Sequence, residues 1–172
     1  MGRLKNSGCP ALAVLSMVFV MTTSTFSNDD AVLTITSFGT ELVVTVPSAY
    51  GIETHRGPDF DVHYIGTKDP RGPVMGIYIG HHPNLFSSRK TGTTSEKEAD
   101  TILGQKVEWI IWQGKENDEM IRHCETIVQE VFTGSGSRSI AALMIHIFIQ
   151  GPANEEVTSL RTAAKSLRVT RP

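Results

Sequence analysis

Cysteine is nearly absent: the 172 residues hold two, Cys9 and Cys124. A small fold stapled by several disulfides is therefore excluded. An excess of charge of either sign is also lacking. Sixteen Lys+Arg stand against 18 Asp+Glu, for a net charge of −2, and without a basic excess there is no electrostatic footprint for nucleic acid. No Asn-x-Ser/Thr sequon occurs, which is consistent with a bacterial secretory route. Neither a P-loop, a dinucleotide fingerprint nor a Gly-x-Ser-x-Gly elbow is present, so no cofactor is expected and no hydrolase family is indicated. Internal repeats and low-complexity segments are missing as well. What remains is ordinary globular composition, 40% hydrophobic and 20% charged, at a length that suits one domain.

The first 27 residues carry Arg3 and Lys5 and no acid, then the apolar run Ala11 to Met21, then Thr-Thr-Ser-Thr-Phe-Ser. That order is a secretory signal peptide, with Thr25 and Ser27 at the −3 and −1 positions of the cut. The run has 11 residues, whereas a spanning helix needs about 20, so no stable membrane span is expected after cleavage. Cleavage leaves 172 − 27 = 145 residues and a net charge of 14 − 18 = −4. Cys124 then stands alone. A single domain over 28–172 buries roughly 68–70% of its unfolded surface and can fold without a disulfide.

Ala31 to Thr36 and Glu41 to Val46 are β-branched runs joined by Ser-Phe-Gly-Thr, and they predict an opening hairpin with Gly39 at a positive φ. Pro47 ends the second strand, and Ala49-Tyr50-Gly51 begins a turn or irregular stretch. Phe60 to Ile65 alternates, which predicts a half-buried strand with Phe60, Val62 and Tyr64 on one face and Asp61 and His63 on the solvated other. Lys68 to Pro73 is a turn cluster, Val74 to Ile79 a strand, and Phe86 to Thr94 an exposed loop. Ser95-Glu96-Lys97-Glu98 fits a capping box and predicts a short helix to about Leu103.

Val107 to Trp112, Ile121 to Val131 and Ile140 to Ile149 read as a three-stranded antiparallel meander, because their connections are too short for parallel crossovers. The last strand carries apolar residues on both faces with His146 inside, as expected of a central strand. Asn154 is placed to cap a helix whose Val157, Leu160, Ala164 and Leu167 form one apolar stripe. The fold class is α+β: an antiparallel sheet of about six to seven strands flanked by a short internal helix and a C-terminal helix.

The chemistry-bearing candidates are few. Asp59, Asp61 and His63 recur at alternate positions, about 6.6–6.8 Å apart in a strand; such a row either binds a metal or transfers protons, or is a solvated strand face. His81-His82 precedes a turn proline, and with His55 and His63 it could complete a metal site only if the loop curls. His123 and Cys124 are consecutive in a strand and so face opposite ways, which predicts an inert buried thiol and no nucleophile pair. Ser135, Ser137 and Ser139, with Arg138, sit in a Gly-Ser hairpin loop. Trp109 and Trp112 fall on opposite faces of one strand, so one is expected at the surface as a protein contact, or packed under the helix.

The opening hairpin with Gly39, the exit Val46-Pro47-Ser48-Ala49-Tyr50, and the late meander followed by a C-terminal helix resemble the PsbP-like family of exported or lumenal α+β domains, which includes periplasmic DcrB-type proteins. The resemblance covers most of residues 31–169. It implies an antiparallel sheet flanked by helices that serves as a binding or assembly module.

The function expected from the sequence is therefore an exported, non-enzymatic module in the periplasm or outside the cell that contacts another protein, such as an inhibitor or immunity-type partner of a secreted toxin. The contact residues expected are Asp59, Asp61, His63, His81 and His82, with Arg89 and Lys90 in the adjoining loop. Two alternatives stand beside it: a metal-binding or metal-dependent hydrolytic protein built on the Asp/His cluster, and a permanent subunit of an envelope complex. The oligomeric state is left open.

Overall fold

The computed structural model describes residues 29–89, 94–132, 143–153 and 155–171; the segment expected to be a signal peptide, Lys90, the Gly-Ser loop and Asn154 lie outside them. The opening hairpin is β1 (Asp30–Ser37) and β2 (Thr40–Pro47), paired from Asp30↔Pro47 to Ser37↔Thr40. Its turn is the two residues Phe38 and Gly39, with φ of 51° and 79°. Two successive positive φ values match the right-handed twist of the flanking strands, and glycine takes the larger one without steric cost.

Four further strands follow the hairpin before the meander closes: β3 (Gly51–Arg56), β4 (Phe60–Gly66), β5 (Val74–Gly80) and β6 (Glu96–Ile102). The meander is β7 (Gln105–Glu116), β8 (Glu119–Phe132) and β9 (Leu143–Pro152), and the chain ends with helix α1 (Glu155–Lys165) and strand β10 (Arg168–Arg171). One sheet has the order β1-β2-β10, the other β3-β4-β5-β9-β8-β7-β6. Every pairing among the described residues is antiparallel. The α+β class holds, and β9 is the middle strand of the seven, as its two apolar faces require.

One core joins the two sheets and the helix. Leu42, Val44 and Val46 of β2 meet Met75, Ile77 and Ile79 of β5, Ile145, Ile147 and Ile149 of β9, and Val157 and Leu160 of α1. The buried residues of the helix are Val157, Leu160, Ala163 and Ala164; Leu167, expected in the same stripe, is buried two residues past the helix end. Ser166, one residue past the helix, accepts a hydrogen bond from the Thr45 N–H at 2.8 Å and donates to the Ala163 carbonyl, which ties the helix end to β2.

Three expectations change. Residues 95–103 are not a helix: Glu96 to Ile102 pair with β7 from Glu96↔Ile111 to Ile102↔Gln105. The capping-box carboxylate Glu98 meets Arg161 of α1 at 2.6 Å, and Asp100 meets Lys165 at 2.9 Å, so ladder pairing and tertiary ion pairs override a local helix signal. The strand β3 lies where an irregular stretch was expected, and β10 adds to β2; both are short and largely polar, with no apolar alternation to announce them. Both tryptophans are buried, Trp109 with the Arg161 guanidinium 5.3 Å over its ring and Trp112 stacked on His123 at 5.1 Å.

No heavy atom lies within 4 Å of where a Cβ on Gly39 would sit, so only backbone strain opposes a side chain there. Gly39→Ala is expected to cost about 1–2 kcal/mol of stability, measured as a lower urea midpoint at unchanged slope.

Candidate functional site

Register decides where the Asp/His row goes. In β4, Asp61, His63 and Ile65 lie opposite Ile79, Ile77 and Met75 of β5, and those β5 residues belong to the core. Asp61 and His63 are therefore 8% and 1% exposed, and Phe60, Val62 and Tyr64 occupy the outer face. This inverts the expected faces. The polar groups find partners inside: the Ser37 hydroxyl donates to Asp61 Oδ2 at 2.6 Å, and Thr54 Oγ1 lies 2.9 Å from His63 Nδ1. His63 Nε2 is buried without a hydrogen-bond partner. Burial pushes the imidazole below its ordinary 6.5, the Asp61 charge opposes that, and Arg56 adds to it.

The other expected contact residues are separate. Asp59 is exposed just before β4, and pairing of Phe60 with Gly80 brings it to the same strand end as His81. His81 is half-buried and His82 exposed, their ring centroids 6.4 Å apart. Arg89 ends the 3-10 turn Ser87–Arg89. Asp61 and His63 thus do not share a surface with Asp59, His81 and His82. Among the described residues no three His, Cys, Asp or Glu side chains come together to hold a metal ion. Cys124 is fully buried, and burial raises its thiol pKa beyond what the charges of Arg161 and Arg122 offset, as an inert thiol should behave.

The outer face of the seven-stranded sheet carries a group that alternation alone did not reveal. Glu125, in the middle of β8, is 0% exposed. Its Oε2 accepts from the Phe86 N–H at 2.9 Å and lies 3.0 Å from His146 Nε2, and its Oε1 accepts from the Ser87 N–H at 2.8 Å. Burial alone would raise this carboxyl. The hydrogen bonds from His146, from the Ser87 hydroxyl and from the two backbone N–H groups outweigh it and hold the pKa below the ordinary value. With its acceptor positions taken by these donors, Glu125 acts as a clamp that draws residues 86 and 87 down onto the sheet.

What the clamp holds is a shelf of rings. Phe86 packs on His146 at 5.5 Å and edge-on to Phe148 at 5.1 Å; Phe148 meets Tyr64 at 6.0 Å, and Tyr64 meets His55 at 5.4 Å. Phe60 stacks on Tyr78 alongside. Gly76 makes this arrangement fit, since a Cβ there would stand 1.9 Å from the Phe148 ring. Phe86 remains 41% and Tyr64 36% exposed. At the border of the shelf a cleft of about 460 Å³ opens between Tyr50, Ile52, Tyr64 and Lys68.

The molecule so defined is a two-sheet antiparallel α+β domain with one helix over its core and an aromatic outer face. A solved structure shares that fold: LpqN, involved in cell envelope biogenesis of Mycobacterium tuberculosis, superposes with a TM-score of 0.51 at 12% identity over 84% of this chain and 93% of that one. No family model and no curated protein sequence matches. No helix among the described residues is long and apolar enough to cross a membrane.

Glu125→Ala strands the N–H groups of Phe86 and Ser87 and the His146 ring, and is expected to cost about 3–5 kcal/mol in urea unfolding, with faster amide exchange at residues 86 and 87. The wild-type contribution of Glu125 is present above its ordinary 4.5 and disappears as the pH falls through the lower folded value. His63 acts at higher pH. Because its folded pKa is depressed, the unfolded chain takes the proton first, so its contribution is full above 6.5 and declines below. His63→Leu is expected to flatten the loss of stability from pH 6.5 to about 5; an unchanged slope would assign that loss to other groups.

Proposed function

We propose that the chain is an exported, non-enzymatic binding module that receives another protein on the aromatic shelf of its seven-stranded sheet, in the periplasm or outside the cell. The observation that carries this reading is the coexistence of exposure and fixation: Tyr64 and Phe86 stay over a third exposed, while Glu125 pins the segment that bears Phe86. Rings held in place lose little freedom on binding, and fixed aromatics beside a recess are where interface energy concentrates. The signal-like first 27 residues and the likeness in fold to an envelope protein support export. The exit Val46–Tyr50 with this fold class supports kinship with PsbP-like domains. As such a module the chain would serve as an inhibitor or immunity-type partner of a secreted toxin.

His81 and His82, at the same strand end as Asp59, flank the shelf and are the expected polar rim. Asp61 and His63 point into the core and away from Asp59 and His82, so the Asp/His row does not form one surface cluster.

A photoreactive amino acid at Tyr64, introduced in the native host, is expected to yield one defined adduct with a different protein. The same group at Val169, on the small sheet and 40% exposed, is expected to yield none. Identical adducts from both positions, or none from Tyr64, would remove the shelf as the binding surface.

A further inference from the structure

The seven-stranded sheet ends on one side at β3, whose single neighbour is β4. All six residues of β3 are exposed, and its register with β4 runs from Gly51↔Gly66 to Arg56↔Asp61 without a bulge. A strand in that position presents a row of backbone N–H and C=O groups to whatever can extend the sheet, and proteins that avoid such pairing place lysine, proline or a bulge on the edge. β3 has no lysine, proline or bulge, and Glu53 and Arg56 are its charged residues. The opposite end is different: β6 has Lys97 bonded across to Glu108 at 2.7 Å and its two inward carboxylates tied to α1.

The residues of β3 also complement themselves. Gly51-Ile52-Glu53-Thr54-His55-Arg56, laid antiparallel on a second copy about a two-fold axis through Thr54, sets Glu53 opposite His55 of the second copy, twice. Thr54 then faces Thr54, and Ile52 faces the alkyl stem of Arg56. Opposite residues in such a pair have Cβ atoms about 4.5–5.5 Å apart. Glu53 and His55 already show the required affinity within one chain, where Glu53 Oε1 lies 2.9 Å from His55 Nε2 on one face of the strand. Neighbouring registers fail: centring on Glu53 opposes two carboxylates, and centring on His55 opposes two imidazoles.

We propose that two copies of this chain associate through antiparallel β3–β3 pairing centred on Thr54, joining their sheets into one of twice seven strands. The contact is isologous and closed, so it stops at a dimer. Because the His55 ring contacts Tyr64, the two aromatic shelves run together across the axis and present one binding surface of doubled width. The occupant of the edge is a second copy and not a strand of another protein, because Glu53 and His55 each meet the other when β3 is laid on its own reverse.

The test uses the mature chain in sedimentation equilibrium at tens of micromolar. Wild type is expected at twice the monomer mass. Glu53→Lys, which replaces the acceptor of His55 by an ammonium group, and His55→Glu, which sets carboxylate against carboxylate, are each expected to weaken association by about tenfold or more, and the double variant Glu53→Lys/His55→Glu to restore it. Both positions are solvent-exposed, so circular dichroism should stay unchanged. Thr54→Cys gives an independent reading: under oxidation it is expected to form a covalent dimer, because a two-fold axis sets residue 54 against itself within disulfide reach, whereas Val32→Cys, 60% exposed, is not. A monomeric wild type, dimers indifferent to both charge changes, or equal cross-linking at 32 and 54 would each overturn the proposal; a β3 edge occupied only by a strand of another protein would appear as the first of these.

Discussion

Three cross-strand pairs in the middle of the large sheet, Met75 with Ile149, Ile77 with Ile147 and Ile79 with Ile145, decide which side of that sheet is inside. All six residues are essentially unexposed, and burying side chains of this size contributes roughly 1.5–3 kcal/mol each. Side chains alternate with period two, so once this row is inside, the face of every neighbouring strand follows. β2, α1 and the inward rows of β4, β7 and β8 pack against it, and the opposite row, from Tyr64 to Glu125, is turned outward.

The inverted β4 shows how strong that constraint is. Taken alone, Phe60, Val62 and Tyr64 have more apolar surface than Asp61, His63 and Ile65, and local hydrophobicity would bury them. The β5 register places Asp61 and His63 in the core instead, where Ser37 and Thr54 supply hydrogen bonds that limit the cost of burying them. The gain on the other side is the room left by Gly76 and Gly80, which lie opposite Tyr64 and Phe60. A buried polar pair at the end of the core and an exposed aromatic shelf are two results of one register.

Glu125 shows the complementary case, a charge that a sheet buries because the backbone comes to meet it. Its partners Phe86 and Ser87 stand 39 and 38 residues earlier in the chain, and His146 lies on the next strand. An uncompensated carboxylate there would shift its pKa upward and neutralise; the N–H groups keep it ionised and in return gain an acceptor. The shelf of rings is thereby positioned from beneath by a polar interaction, while its upper surface stays free for contact. At the far end, the ion pairs from α1 to Glu98 and Asp100 finish β6 as a closed edge and leave β3 as the open one.

The residues themselves determined whatever depends on near neighbours. The alternation in 31–36, 41–46 and 143–149 made strands, Gly39 made the first turn, the short connections made the meander antiparallel, and Val157, Leu160 and Ala164 made the helix stripe. Local chemistry also settled Cys124 as a buried thiol. Tertiary structure alone decided that 96–102 is a strand, that β3 and β10 exist, that Asp61 and His63 face inward, and that Glu125 anchors a distant loop. Alternation divides a strand into two faces and is silent on which is buried, and a hydrogen bond between groups almost forty residues apart leaves no periodic trace in the chain. Both depend on pairing partners that only the folded sheet brings together.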